Sequence, residues 1–112
     1  MIKVFLCDDH ALIRRGIRDT LSDAADIEVV GEAGDYGELR QLMREKTADV
    51  LVLDINLREV MVYPVADALQ ARGVPFVFAT GYEKAVIPAR FAEVRHCEKP
   101  IEPAQVVQAL FA

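Results

Sequence analysis

No apolar run in the chain approaches the roughly 20 residues that a membrane-spanning helix requires, so no membrane span is expected. The N-terminus, MIKVFLCDD, meets acidic residues before an apolar stretch of signal-peptide length or a small-residue cleavage site can form. That places the expected protein in the cytoplasm. Cysteine is scarce. Cys7 and Cys97 stand far apart, each inside an apolar segment. They are too few, with too few histidines, for a disulfide framework or a thiolate metal site, and read as reduced core residues. An excess of basic residues is also missing: the formal net charge is −5. Binding to a phosphate backbone needs a basic patch, so direct nucleic-acid contact by this chain is not expected. Linkers, internal repeats and low-complexity segments are absent as well.

What is present is a chain of 112 residues, 53% hydrophobic and 28% charged, which suits one globular domain with a filled core. Short apolar runs alternate with helical patterns. IKVFLC at 2–7 reads as a strand. Leu12, Ile13, Ile17, Leu21 and Ala24 then mark a helix from Ala11 to Ala24. Ile27, Val29 and Val30 form a second strand closed by Gly31. A second helix follows over 36–46, with Leu39, Leu42 and Met43 on one face. VLVL at 50–53 is continuously apolar, as a strand buried on both faces would be. A third helix is expected over 60–72, with Pro64 in its first turn and Gly73 as its stop. PFVFA at 75–79 is a fourth strand. Pro88 leaves only a short or irregular helix in 83–93. Residues 94–98 read as a fifth strand and 102–111 as a last helix. Five strands alternating with five helical segments predict an α/β fold, a parallel sheet covered by helices on both faces.

Open parallel sheets bind ligands beyond the carboxyl ends of their strands. The residues there are Asp8 and Asp9 after the first strand, Asp54 after the third, Thr80 after the fourth and Lys99 after the fifth. Any one of them has an ordinary reading: Asp9 as a helix cap, Thr80-Gly81 as turn chemistry, Lys99-Pro100 as a solvated strand end. Together they give three carboxylates, a hydroxyl and an ammonium from distant parts of the chain. Oxygen donors alone suit a hard divalent ion, and Mg2+ takes one or two carboxylates while accepting phosphate oxygens. With a lysine to hold a phosphoryl group, the set suits in-line phosphoryl transfer onto a carboxylate.

The segments IKVFLCDDH, VLVLDIN, FVFATGY and EKP, with the interval between Asp9 and Asp54, resemble the response regulator receiver domain of two-component systems, along essentially the whole of residues 1–112. The resemblance implies a three-layer flavodoxin-like (βα)5 sandwich with a five-stranded parallel sheet of order 2-1-3-4-5. It implies that Asp54 is the phosphoacceptor and that Asp8, Asp9, Asp54 and the backbone carbonyl of Asn56 hold Mg2+. Thr80 is then the switch hydroxyl, Lys99 pairs with the phosphoryl oxygens, Gly81 leaves access to Asp54, and His96 takes the place of a switch aromatic. The implied donor is a histidine kinase or phosphotransfer protein. The implied output is a change in the surface made by the fourth helical segment, the fifth strand and the last helix, through which a homodimer could form.

The chain departs from the family pattern after Asp54. INLREVMVYPVADAL replaces the common Pro-Gly loop, the intervals from Asp54 to Thr80 and from Thr80 to Lys99 are short, and Ile101 replaces an aromatic. Residues 1–54 resemble receivers of helix-turn-helix regulators, and residues 55–112 resemble compact stand-alone receivers, through natural variation or recombination. The alternative function is a receiver-like interaction module that works without phosphate. An aspartyl-phosphate hydrolase would need a second acid two residues after the nucleophile, where Asn56 stands. A flavin module would need glycines and hydroxyls after the first strand, where the loop is acidic. The expected chain is therefore not an enzyme beyond its own phosphorylation and dephosphorylation.

Overall fold

The computed structural model describes residues 1–54, 56–57, 60–61, 63–80, 89–91, 94, 96–98 and 103–110, without the side chains of 56, 57, 60, 61, 80, 96–98, 109 and 110. In chain order the elements are β1 (Ile2–Cys7), α1 (Ala11–Ser22), β2 (Ile27–Ala33), α2 (Tyr36–Glu45), β3 (Val50–Asp54), β4 (Asn56–Leu57), β5 (Val60–Met61), α3 (Tyr63–Ala71), β6 (Phe76–Thr80), a 3-10 turn (Ala89–Phe91), β7 (His96–Glu98) and α4 (Pro103–Leu110). The main sheet runs β2-β1-β3-β6-β7, and every pairing in it is parallel.

Side chains alternate across a strand, so each strand feeds two cores. On one face Phe5, Cys7, Leu51, Leu53, Phe76 and Phe78 pack against Leu39 of α2 and against Val65, Ala66 and Leu69 of α3. On the other, Val4, Leu6, Val50, Val52, Val77 and Ala79 pack against Ile17 and Leu21 of α1 and Val106 of α4. All five residues of β3 are buried, as its unbroken apolarity requires.

Several boundaries differ from the sequence expectation, α1 ending at Ser22 rather than Ala24 among them. β2 does not close at Gly31 but continues through it to Ala33, and the pairing with β1 shifts register between Val4 and Phe5. Gly31 is there because the strand passes close to a fixed side chain: a Cβ would lie 2.9 Å from Phe5 Cδ1 and 3.0 Å from Leu42 Cδ2. α3 starts at Tyr63 rather than at residue 60, because Asn56–Leu57 and Val60–Met61 pair as a small antiparallel ribbon. β6 reaches Thr80, and β7 begins at His96 rather than at residue 94. On α1 the helical spacing is real, yet only Ile17 and Leu21 are buried, while Leu12 is 83% and Ile13 41% exposed. Three residues separate the helix from the end of β1, and its buried residues begin only at Ile17. Gly73 does stop α3. It adopts φ +69°, and the Val74 N–H donates to the Leu69 carbonyl at 3.0 Å.

Tyr63, Phe76, Phe78 and Phe91 form one aromatic cluster. Tyr63 stacks on Phe91 at 5.7 Å between centroids, and Phe78 meets Phe91 edge to face at 5.5 Å. This ties the start of α3 and the 3-10 turn to the middle of the sheet. Arg90 adds a two-point ion pair to Asp67 at 2.8 and 3.1 Å, exposed and therefore minor in energy.

Two glycine substitutions should move stability in opposite directions. Gly31→Ala forces a methyl against the immobile Phe5 ring and should destabilise by about 1–3 kcal/mol. Gly16→Ala, in the middle of α1 with nothing within 4 Å, should stabilise by about 0.5–1 kcal/mol. Thermal melting followed by circular dichroism reads both, at very roughly 4 °C or more per kcal/mol. An unchanged Tm for Gly31→Ala would refute the close approach.

Candidate functional site

β1 and β3 are neighbours that run in the same direction, with Cys7 in register with Leu53. The next residues, Asp8 and Asp54, therefore reach the same edge. Both are buried, at 3% and 6% exposure. Asp8 lies just past the end of β1 and is still tied to the sheet, because its N–H donates to the Ala33 carbonyl at 3.0 Å.

The chain then turns sharply. The His10 N–H donates to Asp8 Oδ1 at 2.9 Å, which fixes the direction of that carboxylate. His10, not Asp9, stands at the N-cap of α1, and its side chain makes no capping bond. The reading of Asp9 as a helix cap thus fails, and Asp9 turns to the site. Its Oδ1 lies 3.0 Å from His10 Nδ1. One ligand atom from each of Asp8, Asp9, His10 and Asp54 can be chosen so that all lie within 4.8 Å of one another. Arg14 and Arg18 hold α1 in place beside the site. They pair with the two oxygens of Glu32 on β2 at 3.3 and 2.9 Å, and Arg14 Nη1 also donates to the Asp8 carbonyl at 2.5 Å.

Three carboxylates in this space repel one another, and burial of two of them removes the water that would screen the repulsion. The local field shows on an uncharged neighbour. Burial first, and then the carboxylates of Asp8, Asp54 and Asp35, together push the Cys7 thiol up to about 12, with Arg14 opposing them. Oxygen donors at this spacing, two of them deeply buried, fit a hard divalent cation.

Of the other expected site residues, Thr80 closes β6 one position beyond Ala79, the residue in register with Asp54. Its backbone therefore ends at the same edge. Asn56 opens β4, opposite Met61, and His96 opens β7, in register with Phe78. The side chains of Thr80, Asn56 and His96, and all of Gly81 and Lys99, lie outside the described residues. His10 is the residue that the sequence reading missed. Its signal was its place directly after the acidic pair.

A parallel α/β sandwich with an acidic cluster beyond the carboxyl ends of its central strands defines a class of cation-dependent phosphate-handling domains. A family model described as the response regulator receiver domain matches residues 4–111. The chain is 33% identical to the transcriptional regulatory protein BtsR of Escherichia coli K12, over 98% of this chain and 47% of BtsR. It resembles the solution structure of SdrG from Sphingomonas melonis Fr1 with a TM-score of 0.83 at 30% identity, covering 100% of this chain and 98% of that one. A BeF3-activated conformation of SdrG, attributed to Pseudomonas melonis Fr1, gives a TM-score of 0.76 at 31% identity, over 97% and 92% of the two chains. The chain spans about half or less of the length of the first curated relatives it matches. It belongs to the response regulator receiver domain family, the phosphorylation-activated switches of two-component signalling. Among the described residues no helix is long and apolar enough to cross a membrane.

The Cys7 thiol gives a test of the site's field. With a thiol at about 12 instead of 9.0, the reactive thiolate at pH 8 is rarer by on the order of 10³-fold. In a Cys97→Ser background, native protein at pH 8 should label with a thiol reagent far more slowly than urea-unfolded protein. Equal labelling rates in the two states would refute the burial and the field together.

Proposed function

We propose that this domain, running over 1–112, accepts a phosphoryl group on Asp54 from a histidine kinase or phosphotransfer protein, with Asp8, Asp9, Asp54 and the backbone carbonyl of Asn56 holding Mg2+. The observation that carries the reading is the convergence of Asp8, Asp9 and Asp54 at one sheet edge, with Asp8 and Asp54 buried. When bound, the cation neutralises the carboxylates and the charge on the transferring group. An Asp54 carboxylate oxygen attacks phosphorus in line, the P–O bond forms as the donor P–N bond breaks, and the donor imidazole leaves with the electron pair. Asp8, fixed by the His10 N–H and buried, keeps the site rigid during that exchange.

Phosphorylation adds about −1.5 to −2 charges and three strong acceptor oxygens. Thr80 and Lys99 are the groups in this reading that engage those oxygens, Gly81 leaves room for them, and His96 serves as the switch position. The sheet order β2-β1-β3-β6-β7 supports the flavodoxin-like 2-1-3-4-5 plan, in which Thr80 and Lys99 end adjacent strands. Their engagement biases a two-state surface around β7 and α4, read by a partner or by a second copy of the domain. The domain is cytoplasmic in this reading, makes no direct contact with nucleic acid or membrane, and catalyses only its own phosphorylation and dephosphorylation.

Incubation with a small phosphoryl donor and Mg2+, or with a kinase, should add the mass of one phosphoryl group. Asp54→Asn should abolish the gain. Asp8→Asn and Asp9→Asn should slow it roughly 100-fold, as loss of one charge-stabilising group does. No mass gain with any donor, kinase included, would overturn the proposal in favour of a phosphate-independent interaction module.

A further inference from the structure

The acidic cluster contains one nitrogen donor that a magnesium site does not require. His10 Nδ1 lies 3.0 Å from Asp9 Oδ1 and 3.6 Å from Asp8 Oδ1, inside the donor group that spans 4.8 Å. Ligands at about 2.1 Å from an octahedral ion sit roughly 3 Å apart when adjacent and roughly 4.2 Å when opposite. The donors are thus near coordination spacing, and small side-chain rotations would complete it. We propose that His10 is a metal ligand of this site and tilts its preference from Mg2+ toward ions that accept imidazole, Mn2+ and Co2+ among them. The inference rests on the reading that the carboxylates hold a divalent ion.

The backbone is built to present this imidazole. The Asp8 carboxylate anchors the His10 N–H, and the N-cap position gives His10 an extended conformation, φ −90° and ψ 99°. The imidazole is not engaged in capping the helix, and its side chain is 64% exposed, so it can turn toward an ion at little cost. Arg14, the nearest guanidinium on α1, is committed to Glu32 and to the Asp8 carbonyl. On the ligand side, Mg2+ prefers oxygen and keeps its waters, so an imidazole adds little to its binding. Affinity for nitrogen donors rises through the first-row series from Mn2+ to Co2+ and beyond. A single imidazole in an oxygen site therefore changes selectivity more than it changes Mg2+ affinity.

Titration calorimetry of Mg2+, Mn2+ and Co2+ into the full chain tests this, with wild type, His10→Ala, His10→Gln and Asp54→Asn compared. The expected result is a fall of about tenfold in the Mn2+ and Co2+ preference over Mg2+ in both His10 variants, with Mg2+ affinity nearly unchanged. Pulsed EPR of the Mn2+-loaded protein should show coupling to a histidine nitrogen in wild type and none in His10→Ala. An unchanged preference without nitrogen coupling overturns the proposal. So does a uniform rise in affinity for all three ions in His10→Ala, which would make His10 a competing partner of Asp9. Both results leave intact Mg2+ binding that Asp54→Asn weakens, and so spare the proposed function. No binding of any of the ions to wild type would overturn both.

Discussion

The feature on which the rest of this structure depends is the placing of two buried carboxylates, Asp8 and Asp54, side by side at the ends of adjacent parallel strands. Like charges at this range with little water between them work against folding. They persist because the strands leading to them leave the chain no choice. β1 and β3 are apolar on both faces, each face is covered by helices, and the Cys7–Leu53 register fixes where the two strands finish. Apolar burial of many residues sets the position of two charged ones. The repulsion that remains is of the kind a bound divalent cation would relieve.

The same logic extends to what surrounds the site. Arg14 and Arg18 pair with Glu32 and hold α1 against β2, with His10 at the start of the helix beside the acidic cluster. The buried Cys7 thiol reports the field from inside the core, where the neighbouring carboxylates reinforce the effect of desolvation. Fold and function meet at one boundary, the point where each strand stops being apolar.

That boundary is also what made the site legible in the sequence. An apolar run ending in Asp-Asp, and another ending in Asp, define strands and site at once, and β1, β3 and the three carboxylates read directly from them. Features set by contacts between distant residues did not. The run of β2 through Gly31 depends on the Phe5 ring, which local propensity does not register. The late start of α3 depends on a pairing of Asn56–Leu57 with Val60–Met61 that two-residue segments are too short to announce. Leu12 and Ile13 satisfy helical spacing, but periodicity cannot say that both stay exposed while Ile17 and Leu21 are buried. His10 was hidden for another reason. A histidine beside two aspartates has no pattern of its own until the turn closed by Asp8 brings its ring over both of them.

The segment after Asp54 shows how a receiver can depart from the family's common loop and still keep Asp54 at the acidic edge. The position of Asp54 is set from the two strands beside it: β1 through the register of Cys7 with Leu53, and β6 through that of Asp54 with Ala79. Neither pairing involves residues 55–62. What the altered segment supplies is part of the cover over Phe78 on the α2–α3 face of the sheet: Tyr63 packs against that ring and stacks on Phe91 of the 3-10 turn, which in turn meets Phe76 and Phe78. Large aromatic faces tolerate such re-routing because they bury area without demanding a particular backbone path. Chemistry and connectivity are thereby separated. The acidic edge is specified by β1, β3 and β6, and the chain between Asp54 and β6 is free to differ so long as it returns Tyr63 to the aromatic cluster.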